Sequence, residues 1–230
     1  MNPETSHIPT VVSLQDVIER TPAPAHAHAT AWTAAVLRRA MNDGALVPGS
    51  KLVESRLAET LDISRNTLRQ AFMVLAAENL VEQIPNRGVF VKSPDAIAIG
   101  ELFTVRLALE STAIELAASG RRQELHDIID WAKRARENGS VSEMALANQE
   151  FHRVIVAASE SPRLIKLMSA VLAEMRLLFF AKVTMPSFHG AFVDRNERLM
   201  NLVEAGETAL AQEELREYLA ASRDYFAEQA

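Results

Sequence analysis

Residues 53–94 read VESRLAETLDISRNTLRQAFMVLAAENLVEQIPNRGVFVKSP, and their spacing decides the fold. Leu57, Ala58 and Leu61 mark a short helix, Asp62-Ile63 a tight turn, and Ser64 is a residue type that caps the start of a second helix. In that second helix Leu68, Ala71, Phe72, Leu75 and Ala76 form one apolar stripe, which must face a core. Arg65, Asn66, Arg69 and Met73 are thereby turned outward. The runs LVEQI and GVFVK are strand-like and are joined by Pro85-Asn86-Arg87-Gly88, a turn with a cation at its tip. The pattern predicts a helix-turn-helix followed by a small β-hairpin wing.

Outward from this stretch, apolar residues recur at helical spacing from Ala31 to Met41, and Gly44 with Pro48-Gly49 stops that helix. Residues 1–29 carry Pro3, Pro9, Pro22, Pro24 and the run APAHAHA with little periodicity, which predicts a flexible arm. A turn of helix within Val11 to Ile18 stays open. His26 and His28 read as solvated tail histidines rather than metal ligands. After Asp95 the chain reads as helix, interrupted at Gly120, Gly139, Pro162, Pro186 and Gly206, and Ser140 to Glu143 has capping-box spacing. About six helices joined by short connections predict an antiparallel bundle. The chain is therefore expected to be mainly α, with an arm at 1–29, a winged helix-turn-helix at 30–93 and an all-helical domain at 94–230.

The hydrophobic fraction of 48% supports packed cores, and 230 residues suffice for two of them. No apolar run is long enough to span a membrane, no leader pattern opens the chain, and there is no cysteine. A cytoplasmic protein without membrane partners is expected. The net charge of -6 argues against nucleic acid if the chain is taken whole, but residues 30–93 hold 8 Lys or Arg against 6 Asp or Glu, and residues 94–230 hold 15 against 21. The basic excess lies where the helix-turn-helix is.

The first turn of a recognition helix offers unpaired backbone N–H groups to phosphate and puts its side chains against base edges. Ser64, Arg65, Asn66, Thr67 and Arg69 have suitable types and positions, and Arg87 with Gly88 forms the wing tip. Arg can bond guanine in bidentate fashion, Asn can do the same to adenine, and Ser or Thr can hold phosphate oxygens. The expected partner is double-stranded DNA. No nucleophile with its base, glycine-rich phosphate loop or carboxylate pair at motif spacing points to an enzyme.

With these residues in view, GALVPGSKLVESRLAETLDISRNTLRQAFMVLAAENLVEQIPNRGVFV resembles the DNA-binding domain of GntR-family regulators. Residues 95–226 are similar to the effector domain of the FadR branch, through VRLALESTAIELAA, Phe151-His152 followed by VIVAASESPRL, and LVEAGETALAQEELREYL. The resemblance implies a homodimer on a near-palindromic operator, released or gripped when a metabolite enters the bundle. It also implies a divalent metal held by one Asp and three His. Here those positions carry Asn148, Asn196 and Tyr218, and only His152 is kept, so no metal or other cofactor is expected.

Helical spacing independently turns Asn196 and Tyr218 inward. With His152 and Asn148 they form either a self-satisfying hydrogen-bond network or the polar contacts of an effector. Arg106 lies on the stripe Ile99, Leu102, Arg106, Leu109, Ala113 and Leu116, and an interior cation needs an anion. Glu110 or Glu150 could supply it. Alternatively, as the resemblance suggests, Arg106 clamps the carboxylate of a small organic-acid effector. The effector-binding set is then Arg106, Asn148, His152, Asn196 and Tyr218. A regulator whose interior is filled and takes no effector is the other reading. His126 and His189 receive no role.

Overall fold

The first helix of the chain begins at a side-chain cap. The computed structural model describes residues 13–21, 28–117, 121–182 and 186–228, and the chain divides into one unit up to Ser93 and another from Pro94. Ser13 starts α1 (Leu14–Glu19) with a reciprocal capping box: its hydroxyl accepts from Asp16 N at 3.1 Å and Asp16 Oδ2 accepts from Ser13 N at 2.9 Å. Val17 is fully buried, and α1 packs on α2 (Ala29–Asn42). The turn of helix left open within Val11 to Ile18 is thus formed over Leu14–Glu19, inside the span expected to be a flexible arm. One buried apolar residue in a six-residue helix is too little periodicity to register in sequence. His26 lies outside the described residues, and His28 precedes α2 without a side-chain capping bond.

The helix-turn-helix is built from α2, α3 (Glu54–Thr60) and α4 (Arg65–Ala77). Its core holds Val36, Leu37, Leu57, Leu68, Ala71, Phe72 and Leu75. Ala76, which the stripe assigns to the core, is exposed instead. Between α3 and α4 the chain reverses at Asp62, whose φ of 50° is tolerated by Asp better than by a branched residue. Arg38 grips Glu78 through two bonds of 2.7 and 2.9 Å and ties α2 to the end of α4.

β2 (Val81–Ile84) and β3 (Gly88–Val91) form the antiparallel wing, in register Val81↔Val91 to Ile84↔Gly88. A third strand, β1 (Lys51–Leu52), pairs with the other edge of β3. Two residues are too few for an alternation to show in sequence, so the hairpin reads there as two strands.

The second unit comprises α5 (Ala96–Leu116), α6 (Arg122–Glu137), α7 (Val141–Ala157), α8 (Pro162–Lys182), α9 (Pro186–Glu204) and α10 (Thr208–Glu228). Asp95 and Ser140 cap α5 and α7 through bonds to Ala98 N and Glu143 N. α7 is the central element, packed against α5, α6, α8 and α9, and α10 lies along α5 and α9. Fully burying Phe151 and Leu215 contributes about 1.5–3 kcal/mol each. Six helices match the expected bundle.

Candidate nucleic-acid interface and buried polar chain

The start of α4 is organised by its cap. Ser64 Oγ accepts from Thr67 N at 3.0 Å and lies 2.8 Å from Thr67 Oγ1, so one hydroxyl donates to the other and one O–H stays available to a phosphate oxygen. The backbone N–H groups of Arg65 and Asn66 precede the capped one and have no helical acceptor, which leaves them for phosphate. Both side chains are exposed, and among the described residues none pairs with Arg65. Arg69, one turn on, is also exposed, but its Nε donates to Glu54 Oε2 at 2.9 Å. Sequence reasoning missed Glu54, because only the helix-turn-helix crossing brings the start of α3 to that side of α4.

At the wing tip Asn86 and Gly88 adopt φ of 62° and 108°, which aims Arg87 back over Phe90 with its guanidinium carbon 5.6 Å from the ring centre. Lys51 Nζ lies 5.9 Å from the same ring, and a Cβ on Gly88 would come within 3.2 Å of Lys51 Cε. Aromatic stacking holds two cations at this edge without spending them on carboxylates. Arg87→Ala is expected to weaken DNA binding evenly across sequences and to reduce the salt slope by about 1. A fluorescence titration at several salt concentrations checks this.

In the second unit the five residues singled out in the sequence meet in one buried hydrogen-bonded chain, joined by Glu110. Arg106 Nε donates to Glu110 Oε1 at 2.9 Å, and Glu110 Oε2 lies 2.6 Å from His152 Nδ1. His152 Nε2 lies 2.9 Å from the Tyr218 hydroxyl, which donates to Asn148 Oδ1 at 2.8 Å, and Asn196 Nδ2 donates to the same oxygen at 2.8 Å. All six are buried. Of the readings that the sequence leaves open for Arg106, the geometry matches pairing with an interior carboxylate: Glu110, one helical turn along, neutralises it. Glu150, the other carboxylate considered, bonds Arg153 instead. His126 pairs with Glu204 at 3.0 Å, and His189 packs edge-on against Phe188.

Burial opposes the charge on Glu110, yet the combined pull of Arg106 and His152 holds its carboxyl below the ordinary value. Burial, partly offset by Glu110, likewise holds the His152 imidazole below its ordinary value. Burial pushes the Tyr218 phenol far above its usual range. Both depressed groups bind protons more readily in the unfolded chain, so stability is full at neutral pH and declines on acidification. The loss begins as pH falls below the ordinary histidine value of 6.5 and deepens below the ordinary Glu value of 4.5. A series of melts from pH 8 to pH 4 is expected to be flatter for His152→Gln between about pH 7 and 5 than for the parent.

The four positions where the resemblance implies metal ligands do converge, but their donor set does not fit a divalent cation. The donor atoms of Asn148, His152 and Tyr218 are turned on one another or on Glu110, and the phenol keeps its proton. Among the described residues no group of three or more His, Asp or Glu could hold a metal. Metal analysis of the purified protein is expected to find no equimolar zinc, nickel or manganese, and added metal to leave its melting temperature unchanged.

Residues 31–91 match the family described as Bacterial regulatory proteins, gntR family, and residues 101–221 match the FCD domain. The chain is 30% identical over 182 residues to the Probable D-xylose utilization operon transcriptional repressor of Paenarthrobacter nicotinovorans, covering 77% of this chain and 80% of that one. It is 30% identical over 132 residues to the Nta operon transcriptional regulator of Aminobacter aminovorans, a match that covers 56% of this chain and only 63% of that relative. The crystal structure of transcriptional regulator GntR from Rhodococcus sp. RHA1 superposes with a TM-score of 0.81 at 31% identity, covering 87% of this chain and 98% of that one. No helix among the described residues is long and apolar enough to cross a membrane.

Proposed function

Because the chain belongs to the GntR family of bacterial regulatory proteins, with an FCD domain behind its helix-turn-helix, we propose that it is a transcription regulator that binds an operator as a homodimer. Arg65, Asn66 and Arg69 read bases, the cap region of Ser64 and Thr67 holds the backbone, and Arg87 with Gly88 follows the neighbouring phosphates. The observation that carries this reading is the pair of exposed side chains Arg65 and Asn66 on open backbone N–H groups at the start of a capped helix. The test is selection of bound duplexes from a randomised library. Enrichment of a two-half-site sequence supports the proposal, and recovery of random sequence sinks it. Sedimentation of the protein alone and on the selected duplex is expected to give a dimer.

For the FCD domain, the interior balance favours an uncharged effector over the organic acid that the sequence suggests. Arg106 is spent on Glu110, while the buried Arg106 Nη2 and Asn196 Oδ1 have no partner, one a donor and the other an acceptor. The hydroxyls of a polyol or sugar both donate and accept, so such a ligand can answer either atom, whereas a carboxylate only accepts. The name of the D-xylose operon relative agrees with that class.

The effectorless reading also has an observation behind it. A cavity of about 180 Å³ in this unit is lined by Ile114, Leu125, Ile155 and Val203 with Arg121 and Arg122, and by none of the buried chain. That is below the roughly 300 Å³ usual for ligand sites. Thermal-shift screening against neutral sugars and monocarboxylates decides between the readings: a rise with sugars alone supports the effector proposed here, a rise with acids restores the anionic class, and no rise favours a filled interior.

A further inference from the structure

Arg65 and Arg69 project from the same helix, but their electrostatic settings differ. Arg65 has no partner among the described residues. Arg69 donates Nε–H to Glu54 Oε2 at 2.9 Å, and the pair remains open to solvent, with side-chain exposures of 66% for Arg69 and 33% for Glu54. Glu54 is the first residue of α3, and its N-cap, Val53, supplies no side-chain capping bond. The carboxylate is free to reach across to α4.

An exposed ion pair adds little to stability, commonly about 0–1 kcal/mol. Its consequence here is orientation. A free arginine side chain samples many rotamers, and ordering it on a base costs part of the energy of the contact. A bond at Nε fixes the plane of the guanidinium and leaves the end-on Nη1 and Nη2 edge unoccupied by Glu54. That edge can meet guanine O6 and N7. The carboxylate also neutralises Arg69 and repels phosphate, so Arg69 adds little to the sequence-independent, salt-sensitive part of binding.

We propose that Glu54 is a positioning and specificity-determining residue: it presents Arg69 to a base edge and suppresses its attraction to the DNA backbone. The inference rests on the assignment of Arg69 as a reading residue made above.

The test uses the full chain and a duplex that the parent protein selects from a randomised library, with a scrambled duplex of equal composition as the second probe. Glu54→Ala is expected to reduce the preference for selected over scrambled duplex roughly tenfold, and to relax base choice in a repeated selection at the same positions that Arg69→Ala relaxes. Glu54→Gln keeps an acceptor oxygen but not the charge. It is expected to retain the base pattern while binding scrambled duplex more tightly, with a salt slope steeper by about 1 for each head. That split separates positioning from a loss of fold, which both variants are expected to leave intact by circular dichroism. Relaxation by Arg69→Ala with full base preference in Glu54→Ala overturns this inference alone. Full preference in Arg69→Ala overturns the reading of the helix itself, and the role of Glu54 with it. A double variant Glu54→Ala, Arg69→Ala is expected to be no less selective than Arg69→Ala.

Discussion

Replacing Arg65 and Arg69 together with Ala is expected to abolish selective operator binding, at a cost of about 2–6 kcal/mol per half-site. Each arginine that bonds a base edge contributes roughly 1–3 kcal/mol of discrimination. The two side chains lie one turn apart on one exposed face of α4 and share no partner, so their losses should nearly add. Neither supports the core, which on this helix is carried by Leu68, Ala71, Phe72 and Leu75. The double variant should therefore melt like the parent while losing the selected duplex in a gel-shift titration. Residual binding should be weak, salt-sensitive and indifferent to sequence, supplied by Arg87, Lys51 and the wing. Parental affinity in a folded double variant would remove the DNA-reading assignment.

The reading head was legible because its signals are local. A cap at Ser64, an apolar stripe through Leu68, Ala71, Phe72 and Leu75, and a turn at Pro85 to Gly88 each act within a few residues. Ala76 fell off the stripe because it lies in the last turn of α4, where the apolar face drifts off the core. What stayed hidden depends on contacts distant in sequence: Val17 under α2, β1 on the far edge of β3, and Glu54 against Arg69. The bundle shows the same division. Spacing turned Asn196 and Tyr218 inward correctly, yet which carboxylate claims Arg106 was a choice between Glu110 and Glu150 that periodicity could not make. Packing made it, since Glu110 is fully buried beside His152 while Glu150 lies nearer the surface with Arg153.

Glu110→Ala is expected to destabilise the second unit by about 3–5 kcal/mol, a fall of roughly 10–20 °C in melting temperature for a unit of this size. Glu110 is the anion on which the buried chain depends: its two oxygens answer Arg106 and His152 at 2.9 and 2.6 Å, and all three are sealed from water. Removing it leaves a buried guanidinium without charge compensation and an imidazole without its strongest bond. The ion pair as such is not the source of the stability, because desolvating two charges offsets most of their attraction. A double variant Arg106→Met, Glu110→Leu should accordingly recover most of the loss, although His152 Nδ1 still lacks a partner. Thermal melts of the single and double variants make the comparison, and equal destabilisation of both would mean that the lost packing, not the stranded charge, sets the cost. The double variant also bears on sensing. If Arg106 Nη2 is half of an effector contact, the rescued protein should bind its operator but lose any thermal response to a sugar, whereas a purely structural chain would leave no response to lose in the parent.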